Sequence, residues 1–377
     1  MRALRRTAQG AASSGLEGLV RLAALRAPSL PEPPQEPRSI FVLRNNDVGD
    51  LLVITPLFEA LRRRFPDARI AAGVGDWNRE VLRGNPYLSE VLSVNAPWFN
   101  KYLRDQSPWD RLAYLRRSPE VRELADRRFE VGIDVLGSAW GSLLLLRAGI
   151  PWRLGVRGYA GGHSGVQATV PFDSNLHVGR SALRFAELLG ATELPENRPQ
   201  IFLDARAREE AERAWAAAEG GRRRRRILVG PGGGLPEKCW PAESYTELVA
   251  GMSGLGDLSI LVLGGPKEQA TVTAVAVASP QARSLPEPPP LRQVFALVAA
   301  ADLVVCNSSM LLHVAAAFGK PTLVILGESF PSARQHQAQW GYPGICRSFG
   351  KEPQEREYVY TPPEILSILR KDFGAWT

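Results

Sequence analysis

The stretch DLVVCNSSMLLHVAAAFGKPTLVILG, residues 302–327, decides the fold. An apolar, β-branched run ends at three small polar residues, Asn307-Ser308-Ser309. The chain then resumes as an apolar helical segment carrying His313, and a second β-branched run, TLVILG, follows. Strand, helix and strand in immediate succession are the repeating unit of a parallel sheet covered on both faces. The polar break lies where the first strand turns into the helix, and a helix start with small residues leaves backbone N–H groups open to an anion. A serine N-cap would satisfy the same pattern.

Working outward, the same alternation fills the chain. SIFVLR (39–44), ARIAAGV (68–74), EVLSV (90–94) and VGIDVL (131–136) read as strands separated by helical stretches. After a proline-marked extended segment, PENRPQIFLD (195–204), and the amphipathic helix 204–220, the strands RILVG (226–230), LSILVLG (258–264), DLVVCN and TLVILG repeat the scheme. The expected class is therefore α/β, with two Rossmann-like domains of parallel sheet facing a central cleft. The expected divisions are a basic, proline-rich extension over 1–37, an N-terminal domain over 38–200 and a C-terminal domain over 201–377. A chain of 377 residues is long for one core, which agrees.

Charge is uneven. The net charge is +7, and residues 1–26 supply +4 of it through five arginines against Glu17. The remaining body is nearly balanced, which argues against a nucleic-acid binder and for an anionic substrate or membrane surface. The run Arg222–Arg226 follows a helix end, where cations complement the helix dipole, and is expected to be a solvated cap. Three cysteines without CxxC spacing point to reduced thiols and no structural zinc. No apolar run approaches the ~20 residues of a spanning helix. The extension is expected to be a short amphipathic surface helix or a tail. Residues 101–128, with Trp109 and Tyr114, are expected to form a surface helix pair or an acceptor-binding lid.

Open parallel sheets bind ligands beyond the carboxyl ends of strands, and three such junctions stand out. In LRNNDVGDLLVITP (43–56), Asp47 or Asp50 would cap a helix, or serve as a general base. In GPGGGLPEKCWP (230–241), consecutive glycines let backbone N–H groups approach a phosphate, with Lys238 as a point charge. The spacing is not that of a Walker loop, and no GxGxxG follows the first strand, so a dinucleotide dehydrogenase is disfavoured. The third junction is the 307–313 segment itself.

Taken in order, these junctions resemble glycosyltransferase family 9, the family of the ADP-heptose:lipopolysaccharide heptosyltransferases. GNPYLSEV (84–91), GIDVLGSAWGSLLL (132–145), HVGRSALRFAELLG (177–190) and LVLGGPKEQ (261–269) extend the likeness over nearly the whole chain beyond the linker. The resemblance implies a GT-B fold and a metal-independent, inverting transfer of a heptose-like sugar. The donor would be a nucleoside diphosphate sugar, ADP-linked, and the acceptor a lipid-linked or lipopolysaccharide-type glycan. No cofactor or metal is implied beyond the donor, and the setting would be cytoplasmic, peripheral to the inner membrane face. By position Asp50 matches the general base. Gly232, Gly233, Lys238, Glu268, Ser308, Ser309 and His313 match the donor-binding set, with Lys267 competing for the position of Glu268. Two positions depart from the family's D-[ST]-G pattern: Ser308 stands where an acid is expected to meet donor-sugar hydroxyls, and Met310 where a glycine is expected. They support one alternative, a binding member without turnover; a second alternative is a nucleotide-sugar epimerase on the same fold.

Overall fold

The computed structural model describes residues 15–103 and 106–372. The chain forms two compact units, Met1–Asn197 and Arg198–Thr377. The first contains a six-stranded, all-parallel sheet: β1 (Ser39–Leu43), β2 (Arg69–Val74), β3 (Glu90–Ser93), β4 (Val131–Asp134), β5 (Trp152–Arg157) and β6 (Ala168–Pro171), in the order β3-β2-β1-β4-β5-β6. The second repeats it with β7 (Arg225–Gly230), β8 (Leu258–Val262), β9 (Ala282–Ser284), β10 (Leu303–Cys306), β11 (Thr322–Ile325) and β12 (Cys346–Phe349), in the order β12-β11-β10-β7-β8-β9. Counted from its own first strand, each sheet has the doubly wound order 3-2-1-4-5-6, so the expected α/β class of two Rossmann-like sheets is observed.

Burial explains which strands could be read. All residues of β1, β4, β8, β10 and β11 are buried, as expected of central strands covered on both faces, and these are the continuous apolar runs. The strands β5, β6, β9 and β12 were not anticipated. ATVP, ARS and CRSF, the edge strands β6, β9 and β12, hold few apolar residues because an edge strand needs cover on fewer sides, whereas WRLGVR at β5 lies between β4 and β6 and is broken up by two arginines and a glycine.

The helices follow the sequence pattern with one amendment. The stretch after β1 is two helices, Val48–Leu52 and Pro56–Arg64, with Pro56 opening the second. Residues 101–128 contain the helix pair Pro108–Arg117 and Pro119–Asp126, the first begun by a Ser107/Asp110 capping box. Within that region Trp109 is exposed, whereas Tyr114 packs edge-on against the buried Trp98.

From residue 15 onward the extension is part of the first unit. Residues 15–24 are helical, and Leu16, Val20, Ala23, Ala24 and Ala27 pack against Ala139, Leu143 and Leu146. Glu17 accepts hydrogen bonds from the Gly162 N–H at 2.5 Å and the Ser164 N–H at 2.8 Å, and pairs with His163. The opposite face shows Leu19, Leu22 and Leu25, 59%, 60% and 77% exposed. Arg2, Arg5 and Arg6 lie outside the described residues.

The arginine run is only in part a solvated cap. Gly220 ends helix Ala205–Glu219 in a left-handed conformation, φ 65°. Arg226 is buried and bonded to Glu219 and Glu212, so one of the five is a core ion pair. Arg222–Arg225, with Lys320, Asp257 and Asp302, line a 640 Å³ cavity at the amino ends of β7 and β10, the opposite sheet edge from the glycine loop.

Candidate functional site

In a doubly wound sheet the strand order reverses between the first and fourth strands, and the crevice beyond their carboxyl ends takes the ligand. In the first unit this switch point lies between β1 and β4. Arg44, directly after β1, is a buried charge. Its guanidinium donates to Asp50 Oδ1 at 2.9 Å and to the Asp50 main-chain carbonyl at 3.2 Å. The Asp50 side chain is thus clamped at one oxygen while remaining one-third exposed (32%). The anticipated capping role is not seen: Asp47 stands at the N-cap of Val48–Leu52 without a side-chain cap bond, and Asp50 lies inside the helix. Asp47 faces Lys101 at 3.4 Å. Burial pushes its carboxyl above the usual range, with Lys101 opposing and Asp50 reinforcing the shift.

Across the switch point, Asp134 ends β4 and is fully buried. It accepts from the Ser138 N–H at 2.8 Å and the Leu136 N–H at 3.2 Å. Burial raises its carboxyl above the ordinary range against these N–H groups and the charge of Arg44. A Cβ on Gly141 would fall 2.0 Å from Asp134 Oδ2, so only glycine lets the following helix close over the carboxyl. Sequence reading missed Arg44 and Asp134. The available signal was a charged residue ending each of two otherwise apolar strands.

In the second unit the switch point lies between β7 and β10, and it gathers the glycine loop and the segment 307–313. Asn307 staples them. Its Oδ1 accepts from the Trp240 N–H at 2.8 Å and the Tyr245 hydroxyl at 3.1 Å, and its Nδ2 donates to the carbonyls of Pro231 at 2.7 Å and Gly232 at 3.1 Å. The Glu268 carboxylate accepts from the Gly265 N–H at 2.6 Å and lies where a Cβ on Gly232 would be, 2.1 Å away. Gly232 is therefore needed for close approach, and Glu268, with Lys267 exposed beside it, borders the loop. Gly233 faces the Cys239 sulfur in the same way at 2.8 Å. Lys238 is exposed, its ammonium 5.9 Å from the centre of the Phe330 ring.

The helix after β10 starts where the polar break predicts. Ser309 is the N-cap of Met310–Ala317, its backbone extended and its hydroxyl accepting from the Leu311 N–H at 3.4 Å. Met310 is the first helical residue and has no left-handed backbone, so this start does not require the glycine the family pattern led us to expect. His313 lies one turn inside this helix. It is buried, its Nδ1 is 2.8 Å from the Tyr342 hydroxyl, and its ring lies edge-on to Trp340 and Tyr342.

The residue missed here is His336. It is buried on helix Ala333–Trp340, with Nε2 2.8 Å from Ser308 Oγ and Nδ1 2.8 Å from Ser348 Oγ. Phe330 stacks edge-on against it. Burial, reinforced by the charge of Lys238, lowers its pKa to about 4, so the imidazole is neutral near pH 7. The segment ARQHQAQW gives no local sign of this, because the partners come from β12 and the start of another helix. Among the described residues no group of three or more His, Cys, Asp or Glu side chains has the arrangement of a metal site.

Comparison with known proteins identifies what this arrangement is similar to. Residues 120–340 match the model described as glycosyltransferase family 9 (heptosyltransferase). Lipopolysaccharide heptosyltransferase 2 of Escherichia coli K12 is 26% identical over 350 residues, spanning 88% of this chain and 97% of that protein. Among solved structures, a family 9 glycosyl transferase from Veillonella parvula has a TM-score of 0.70 at 19% identity, covering 89% of this chain and 97% of its own. The E. coli ADP-heptose lipopolysaccharide heptosyltransferase II has a TM-score of 0.68 at 23% identity, covering 90% and 98%.

Proposed function

This chain belongs to glycosyltransferase family 9, and from that premise we propose that it transfers a heptose-like sugar from an ADP-linked donor to a lipopolysaccharide-type acceptor. It is a glycosyltransferase of GT-B fold; donor, acceptor and mechanism are what the proposal adds. In it, the first unit takes the acceptor and the second the nucleotide-sugar.

The observation carrying the reading is the difference in furnishing between the two switch points. Asp50, held by Arg44 and open to solvent, is the base that removes the acceptor hydroxyl proton as that oxygen attacks the anomeric carbon. The bond from that carbon to the β-phosphate oxygen breaks on the opposite face, so configuration inverts. Charge then grows on the departing diphosphate. Lys238, the backbone N–H groups of the loop at Gly232 and Gly233, and the helix start at Ser309 are the groups that stabilise it. Glu268, beside Gly232, would accept from ribose hydroxyls in this scheme.

The acceptor class suggests a place for the N-terminal helix. Its inner face is docked, so Leu19, Leu22 and Leu25, flanked by Arg21 and Arg26, form a second apolar face. An apolar stripe bordered by arginines suits the headgroup boundary of an anionic membrane. The test is transfer from ADP-heptose to truncated lipopolysaccharide in anionic vesicles. The expected result is a donor-dependent rise in melting temperature together with glycosylated product. A panel of nucleotide-sugars giving neither overturns the reading. Donor-dependent stabilisation without product would instead favour a binding member without turnover.

A further inference from the structure

We propose that the cavity at the amino ends of β7 and β10 is a second anion site of this unit, one that takes a phosphate group between Lys320 and the arginines of the run 222–225. It lies at the opposite sheet edge from the glycine loop and does not depend on the donor reading. β7 runs from Arg225 to Gly230, so roughly 17 Å of strand, at ~3.3 Å per residue, separates the two places.

The cavity measures 640 Å³, within the range of about 300–1,000 Å³ usual for small-molecule sites. Its lining carries five cations, Arg222–Arg225 and Lys320, against two carboxylates, Asp257 and Asp302. Both carboxylates are already engaged. Asp257 is shared by Arg224 at 2.9 Å and Arg222 at 3.6 Å, and Asp302 Oδ2 accepts from the Arg226 N–H at 2.8 Å. Among the described residues neither Arg223 nor Lys320 has an ion-pair partner, although Lys320 is half-buried.

Complementing helix dipoles does not require this many charges. The arginine run follows helix Ala205–Glu219, and Lys320 follows helix Met310–Ala317. A dipole acts within the last turn, and one cation at each end would meet it. Here five converge on one cavity, where like charges disfavour one another unless an anion stands among them. Burial holds the Lys320 ammonium below the ordinary lysine range, with Asp302 opposing the shift and Arg226 adding to it. An anion in the cavity would relieve that penalty.

Phosphate suits the lining better than a carboxylate does. It carries up to two charges, its three peripheral oxygens take several donors at once, and guanidinium forks bind them in pairs. A free phosphate compound and a lipid headgroup both present that group.

The test is protection of Lys320 from an amine-acylating reagent, read by peptide mass spectrometry on the full chain, with the exposed Lys371 as internal reference. Inorganic diphosphate at about four times its Kd should slow acylation of Lys320 about fivefold, following 1 + [L]/Kd, and leave Lys371 unchanged. Arg223→Ala should raise that Kd by about tenfold, the loss of one charge-assisted hydrogen bond. Lys238→Met, at the glycine loop, should leave the protection in place.

Protection by free diphosphate identifies a soluble ligand, and protection by phosphatidic acid vesicles alone identifies a lipid headgroup; either supports a phosphate site. Equal protection by sodium acetate at matched ionic strength would overturn it, because screening then suffices. No protection by either phosphate source would overturn it as well. Loss of protection in Lys238→Met, with Arg223→Ala unchanged, would return the anion to the glycine loop and remove the second site.

Discussion

The two units share a strand order and differ in what stands at their switch points. At the first, carboxylates converge: Asp134 buried in its turn, Asp50 held by a buried arginine, Asp47 beside them. At the second, the chain supplies glycines, a lysine, serines and a neutral histidine, with Asn307 tying the loops together. On the proposed reading, the same backbone crevice would receive a proton in one case and a negative charge in the other. The fold supplies the crevice, and a few side chains beyond the strand ends decide its chemistry.

Each side of this comparison can be broken separately. Asp50→Asn should lower transfer by about 10³-fold or more, within the range for removing a general base, while ADP-heptose still raises the melting temperature of the variant. Loss of donor binding together with transfer would sink the division of labour. Lys238→Met should cost about 10²-fold in kcat and weaken ADP as well, in single-turnover assays with bound acceptor. An effect confined to the acceptor KM would move Lys238 to the other unit's task.

Asn307→Ala should destabilise the second unit by about 2–3 kcal/mol in urea titration, since it strands several buried partners, and leave the first unit's transition in place. Acid should act on the second unit too. His336 has a folded pKa of about 4 against an ordinary 6.5, so protons bind the unfolded chain first. The stability it contributes is complete above pH 6.5 and is lost as pH falls toward 4, about 3 kcal/mol at most. His336→Gln should flatten that part of the pH dependence. The smallest effect concerns the periphery: Leu22→Ser should reduce partition onto anionic vesicles several-fold without changing the melting temperature, because its side chain is outside the core.

The sequence disclosed what local composition controls. Central strands show as apolar runs because both their faces are covered, and the helix start at Ser309 shows because N-caps have a short vocabulary. Edge strands such as ARS at β9 hold few apolar residues and pass for loop. Arg44 and His336 were hidden for a different reason. Each acquires its role from partners that only folding brings near: Asp50 one helix turn onward and Asp134 on a neighbouring strand for Arg44, Ser308 and Ser348 for His336. His313, picked out by its spacing from the serines, also has aromatic neighbours that the sequence does not show, Trp340 and Tyr342.

The anchoring of Glu17 has a consequence for reach. The Gly162 and Ser164 amides it grips belong to a loop whose Gly162 carbonyl accepts from Ser142 and whose Ala160 carbonyl accepts from the Ala139 N–H. Ser138, next in chain, holds Asp134, whose charge is answered by Arg44, the clamp on Asp50. The N-terminal helix and the carboxylate are thus opposite ends of one short strut. On the proposed reading, with Leu22 and Leu25 on a membrane and Asp50 as the base, Asp50 would ride at a set height above that surface, and an acceptor would have to carry its hydroxyl that far.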